Sequence, residues 1–161
     1  MFLLDWGVLG RYRGVKRDIF HRLYFHVVWA TAGRVPALEG RRERAIQCIT
    51  TVAQKFGAYV LACNTMPDHV HLLISLPPVD LASFIGKVKG GSSFALNRQR
   101  EEENSLRWQD GYGVVSLRAS DTPDVIRYIE EQERIHAERN AWQTLERTEL
   151  RSEERRVGKE C

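Results

Sequence analysis

Nowhere in the 161 residues do the roughly 18–20 consecutive apolar side chains of a membrane-crossing helix occur. The opening stretch, residues 1–14, carries Asp5 and lacks a clean apolar block ahead of a small-residue cleavage site, so no secretory signal is read there and a cytoplasmic protein is expected. Cysteine is scarce: Cys48, Cys63 and Cys161 are odd in number and contain no close pair, which argues against a disulfide framework and against a zinc knuckle. Reduced, inert thiols are expected. Charge of one sign is lacking too. The 24 Lys and Arg stand against 21 Asp and Glu, and the net +3 permits a nucleic-acid partner without requiring one. No internal repeat or linker breaks the chain, and its length fits one domain. With 43% hydrophobic residues that domain can bury a core.

The patterns that are present are regular. From 23 to 29, Leu23, Phe25, Val27 and Trp29 fall on one side and Tyr24, His26 and Val28 on the other, the period of a strand. A basic loop with Gly33, Arg34 and Pro36 follows. Across 41–56, Ala45, Ile46, Ile49, Val52, Ala53 and Phe56 recur at helical spacing, with Gly57 as a stop. Residues 58–64 and 69–76 are two apolar strands joined by Thr65-Met66-Pro67-Asp68, the second closed by Pro77-Pro78. Leu81, Phe84, Ile85, Val88, Phe94, Ala95 and Leu96 predict a helix over 81–99, although Gly86, Gly90 and Gly91 weaken it. A short strand is expected at 113–117, after the turn-like Asp110-Gly111-Tyr112-Gly113. The final helix is expected to take Thr122 as N-cap and Pro123 as its first residue, and to run to about Ala141.

This order predicts an α+β protein: a ferredoxin-like β-α-β-β-α-β sandwich with an antiparallel sheet, followed by a C-terminal helix. We divide the chain into a loose extension at 1–18, a domain at 19–145 and a tail at 151–161. The tail, RSEERRVGKEC, agrees codon for codon with the translation of a common sequencing-adapter oligonucleotide. It is set aside from the fold argument, and the natural C-terminus is expected to differ.

Two short motifs carry chemistry. In Pro67-Asp68-His69-Val70-His71 the histidines lie two apart on a strand, so both point to one face while Val70 points into the core. Two neutral imidazoles so placed can chelate a divalent ion, although the spacing alone leaves structurally incidental histidines open. In Tyr128-Ile129-Glu130-Glu131-Gln132, Tyr128 and Gln132 are four apart and share a helix face. Gln132 offers an amide oxygen, a hard ligand suited to Mg²⁺ or Mn²⁺, and Tyr128 offers a phenol, although taken alone the pair reads as a surface Tyr and Gln. Arg34, Arg41, Arg42, Lys87 and Lys89 could meet phosphate, with solvated helix faces as the alternative. Trp108 and Tyr112 could stack on bases, but packing beside a strand is the preferred reading.

These motifs fall in register with Val28-Trp29-Ala30-Thr31, Gly33-Arg34, the block from Met66 to Ile74, Lys89-Gly90-Gly91-Ser92-Ser93 and Trp108-Gln109-Asp110-Gly111-Tyr112-Gly113. In that order and spacing, from about Tyr24 to Trp142, the chain resembles the single-tyrosine HUH transposases. The likeness is greatest to REP-associated tyrosine transposases and to those of small bacterial insertion sequences. The resemblance implies a single-strand DNA endonuclease and strand transferase acting on hairpin ends. His69, His71 and Gln132 would hold Mg²⁺ or Mn²⁺, and Tyr128 would be the nucleophile forming a 5′-phosphotyrosine. It also implies single-stranded or hairpin DNA as partner, a homodimer in which Tyr128 could act in trans, no membrane, and a bacterial cytoplasm with the protein at the nucleoid when bound. Arg34, Arg41, Lys87 and Lys89 would be its DNA contacts.

One departure stands out: where relatives often carry two adjacent histidines, this chain has Ile135 and His136; the latter could assist proton transfer or touch phosphate, with an ordinary exposed histidine as the preferred reading. No general base is evident. The competing functions are a domesticated hairpin-binding protein without transposition activity and a replication-type nickase.

Overall fold

The computed structural model describes residues 21–98, 105–138 and 141–148; the expectations for 1–18 and 151–161 lie outside them. The first strand, β1 (Tyr24–Ala30), has the alternation read in the sequence. It is followed by α1 (Arg42–Lys55), β2 (Tyr59–Met66), β3 (His69–Ser75), α2 (Leu81–Asn97) and β4 (Gly113–Leu117). The sheet order is β2-β3-β1-β4, with every neighbouring pair antiparallel, which is the expected ferredoxin-like arrangement.

The period of two assigns the sheet's faces. Val27, Trp29, Val70, Leu72 and Ile74 point to one side, where they join Ala45, Ile49 and Ala53 of α1 and Phe84, Ile85 and Val88 of α2. That is the main hydrocarbon core. Gly86, Gly90 and Gly91 do not interrupt α2, which continues to Asn97. Part of the reason is packing: a Cβ on Gly91 would come within 2.8 Å of Val52 Cγ1, so glycine there lets the two helices approach closely. Asp80 caps α2, its Oδ1 accepting from the Ser83 N–H at 3.1 Å.

The opposite face carries Leu73, Val115 and Leu117 and is covered by α3 (Thr122–Glu130), α4 (Gln132–Ala137) and residues 141–148. Here the structure departs from the sequence reading. Thr122 is not the cap but the first helical residue, and its hydroxyl donates back to Ala119 O at 2.8 Å. The expected single helix is broken at Glu131 (φ −94°, ψ 17°), and its second part stops at Ala137 rather than near Ala141. Helical periodicity survives such a break, because one non-helical residue barely shifts the phase of the apolar positions.

Strand β2 contains a bulge between Val60 and Ala62. Leu61 and Ala62 both lie on the α3 side, whereas Val60 and Cys63 lie on the core side. The bulge turns Asn64 toward α3, where its Nδ2 donates to Ile129 O at 2.7 Å.

A candidate metal and nucleophile site under the C-terminal strap

β3 presents His69 and His71 on the α3 side, while Val70 between them is fully buried in the main core. Both imidazoles have a second partner that fixes ring direction. Asp68 Oδ1 lies 2.6 Å from His69 Nδ1, and Asp68 is itself held by Arg34 Nη1 at 3.1 Å. His26 Nε2 lies 3.0 Å from His71 Nδ1, with the two rings stacked. Each ligand candidate therefore turns Nε2 toward the same point.

Two further groups reach that point. Glu146, from the strap of residues 141–148, brings Oε2 to 3.4 Å from His69 Nε2 and Oε1 to 3.4 Å from His71 Nε2. His136 of α4 sets Nε2 3.5 Å from Glu146 Oε1, its ring 5.2 Å from that of His69. It is thus part of the cluster, not the ordinary exposed histidine expected from sequence. One ligand atom from each of His69, His71, His136 and Glu146 lies within 4.8 Å of the others.

Tyr128 projects from α3 to the same place, its ring 6.0 Å from His71 and edge-on to it. Its hydroxyl donates to Glu146 Oε1 and accepts from the Trp142 N–H at 3.1 Å, while the Trp142 ring stacks on it at 5.0 Å. Gln132, the first residue after the break at Glu131, is wholly buried, and its Nε2 donates to Tyr128 O at 3.1 Å. The strap also passes close to β4, so that a Cβ on Gly113 would run into the Arg147 carbonyl.

The electrostatics follow from burial and from Glu146. Burial works to raise the Glu146 carboxyl, but the hydrogen bonding of His69, His71 and Tyr128 outweighs it and holds the group well below the usual carboxylate range. Burial and then the Glu146 carboxylate push the Tyr128 phenol well above its ordinary value. Burial pushes His71 down, partly offset by Glu146. It also works to lower His69, but Glu146 and Asp68 prevail and raise it. His26 is lowered to about 3, by burial first and then by His71.

The donor set fits a divalent cation. His69 Nε2, His71 Nε2 and His136 Nε2 are buried with the Glu146 carboxylate facing them at 3.4, 3.4 and 3.5 Å, and Gln132 Oε1 is buried with no hydrogen-bond partner among the described residues. Orphaned buried acceptors cost free energy, about 1–3 kcal/mol each, unless something meets them. The imidazole nitrogens of His69, His71 and His136 and the Glu146 carboxylate could together hold a divalent cation, and there is no thiolate in the set. Burial pushes the Cys63 thiol up to about 12, in keeping with an inert cysteine.

The basic residues divide. Lys87 is exposed, its ammonium 5.5 Å from the centre of the Phe56 ring, and Arg34 is half exposed beside Asp68. Arg41 immediately precedes α1. Lys89 is different: its ammonium donates to Gln109 O, Asp110 O and Gly111 O at 2.6, 3.1 and 3.0 Å, so it serves as a strut for that segment. Trp108 donates Nε1–H to Lys89 O and meets the Trp29 ring edge-on, and Tyr112 packs on the main core, in line with the packing reading.

Sequence reasoning missed Glu146 and His26. Nothing periodic surrounds Glu146, whereas His26 was visible as the polar member of an alternating strand, on the same face as Val28.

Comparison with known proteins sets the chain among transposases. The family model described as "Transposase IS200 like" matches residues 19–132, and the chain belongs to that family. It is 28% identical over 123 residues to the ISDra2 transposase TnpA of Deinococcus radiodurans, covering 72% of this chain and 88% of that protein. To the transposase for insertion sequence element IS200 of Salmonella typhimurium it is 30% identical, covering 74% and 84%. A REP-associated tyrosine transposase bound to a REP hairpin shares the fold, with a TM-score of 0.55 and 20% identity over 80% of this chain and 74% of that one.

Proposed function

We propose that the protein is a metal-dependent transposase that cuts and rejoins single-stranded DNA through a covalent link to Tyr128, acting on hairpin-forming ends. The observation that carries this reading is the convergence of the Tyr128 hydroxyl and the Nε2 atoms of His69 and His71 on one partly buried carboxylate, that of Glu146. Nucleophile and cation site are then parts of one centre.

His69, His71 and Gln132 would hold the cation, with Glu146 and His136 in reach of it. A bound Mg²⁺ or Mn²⁺ supplies positive charge against the non-bridging oxygens of a phosphodiester. Tyr128 Oη attacks phosphorus, the bond from phosphorus to the 3′ oxygen breaks, and that oxygen leaves as a 3′-OH. The phosphate stays esterified to tyrosine at the 5′ end. A second 3′-OH reverses the exchange, so joining needs no external energy source. Because Glu146 and a phosphodiester are both anionic, the strap must yield its place on Tyr128 when DNA enters. Arg34, Arg41 and Lys87 are the proposed phosphate contacts; Lys89 drops out because its donors are already engaged. One tyrosine per chain makes the cutting of two strands the work of two copies.

The test is a denaturing gel with labelled single-stranded hairpins of randomised flanks, with Mn²⁺ present or chelated. A protein–DNA adduct is expected that needs Mn²⁺ and is absent in Tyr128→Phe. Hairpin binding with no adduct under any of these conditions would replace this reading with that of a binding protein.

A further inference from the structure

Behind the candidate ligand cluster lies a fourth histidine that the proposed chemistry does not use. His26 sits in the middle of β1, fully buried, on the face that carries His69 and His71. The register places Val28 opposite His71 and His26 opposite Leu73, so His26 and His71 are diagonal neighbours across the β1–β3 ladder. On its other side it faces Val115 of β4. Its Nε2 lies 3.0 Å from His71 Nδ1, the rings stacked 5.1 Å apart, and its Nδ1 has no hydrogen-bond partner among the described residues. A buried imidazole with one partner and one orphan is a poor way to fill a core position where leucine or phenylalanine would fit.

The single hydrogen between these rings can sit in two places. If His26 Nε2 carries it, His71 Nδ1 is the acceptor, and a neutral His71 bears its own proton on Nε2, facing Glu146. That atom then has no lone pair for a cation. If His71 Nδ1 carries it, His26 Nε2 accepts, and His71 Nε2 is bare and directed at the cluster. Only the second arrangement can ligate. We infer that His26 is a positioning residue for the metal centre: by accepting the Nδ1–H of His71 it holds that ring in the tautomer and orientation whose Nε2 can bind a divalent cation. This rests on the reading of His69 and His71 as metal ligands. It makes the two ligands differ in support, with Asp68 behind His69 and an uncharged ring behind His71.

The test is calorimetric titration of the full metal-free chain with MnCl₂, beside thermal denaturation of the same samples. His26→Phe fills the volume but cannot accept a hydrogen bond, while His26→Gln can place its amide oxygen where Nε2 lies. His26→Phe is expected to weaken Mn²⁺ binding about ten- to a hundredfold, and His26→Gln to restore most of it. Equal affinity of parent and His26→Phe, or a His26→Gln no better than His26→Phe, overturns the inference. Should His26→Phe fail to fold, the parent still decides. In a long-range ¹H–¹⁵N spectrum of the Mg²⁺-loaded protein, the proton should reside on His71 Nδ1, and a proton on His26 Nε2 overturns the inference. A parent that takes up no Mn²⁺ overturns the metal reading and this one together, whereas a parent that binds but is indifferent to His26 overturns this one alone.

Discussion

Asp68 shows how far a single side chain can act through its neighbour. One of its oxygens holds His69 Nδ1 and the other receives Arg34, so removing it frees the His69 ring to turn and leaves Arg34 without that anchor. Outer partners of ligating histidines usually contribute about ten- to a hundredfold in metal affinity. Asp68→Ala is therefore expected to weaken Mn²⁺ binding at least about tenfold with little change in thermal stability, since Asp68 is partly exposed. Titration calorimetry checks it; unchanged affinity would show that the His69 ring is fixed by packing alone. His69 and His71 were legible in the sequence, because alternation on a strand is a local rule, whereas Asp68, just ahead of β3, had no role there. Glu146 was not. A carboxylate in a segment with no period acquires a role only when the fold carries it past β4 and over Tyr128, and no spacing within the sequence encodes that approach.

At the scale of elements, the helix bearing Tyr128 is fastened to the sheet by Asn64. Ile129 lies in the last turn of α3, where carbonyls have no intrahelical partner, and the Asn64 amide satisfies one of them from the neighbouring strand. Asn64 Oδ1 in turn accepts from Arg42 Nε at 3.0 Å and from the Thr65 N–H at 2.8 Å, which ties α1 into the same knot. Asn64→Ala leaves these buried groups unmet and is expected to cost about 1–3 kcal/mol, read as a lower urea midpoint with an unchanged slope. Activity should fall with it, because α3 then loses its fixed distance from His71. The elements themselves were largely readable: the four strands and the first two helices fall within a few residues of where periodicity put them. The break at Glu131 was not readable. Four-residue spacing placed Tyr128 and Gln132 together, and they do meet, but through a bond from the Gln132 side chain to the Tyr128 carbonyl across the break.

Taken whole, the molecule gives its sheet two faces, the α1–α2 face with the main hydrocarbon core and the other with a smaller apolar cluster beside the candidate site. Val28 opposite His71 and Asn64 opposite His71 line up three strands so that β1, β2 and β3 all contribute to one centre. A slip of one residue in any of them would exchange the faces and bring imidazoles into the core. The order β2-β3-β1-β4 could be anticipated from the order of the elements, since connections in such a sandwich are short and leave few alternatives. What pattern alone did not supply is the phase of β2.

That phase has a consequence for the insertions and deletions the chain can survive. Val60 and Asn64 are four apart and would share a face in a regular strand; the bulge sets them on opposite faces. Val60 pairs with Ile74 and Ala62 with Leu73, so Leu61 is a residue the ladder skips. Excising it would let the two halves of β2 meet in their present register. Loss of one residue within a strand normally scrambles everything on one side of the cut, but deletion of Leu61 alone is expected to leave a soluble, folded protein that still binds Mn²⁺, losing only the burial of one half-covered leucine. Deletion of Leu72, in the unbulged strand β3, is expected to yield insoluble chain, and comparing soluble yields of the two checks the pair. The sheet carries one spare letter, and β2 can be shortened at its bulge without changing the register of the rest.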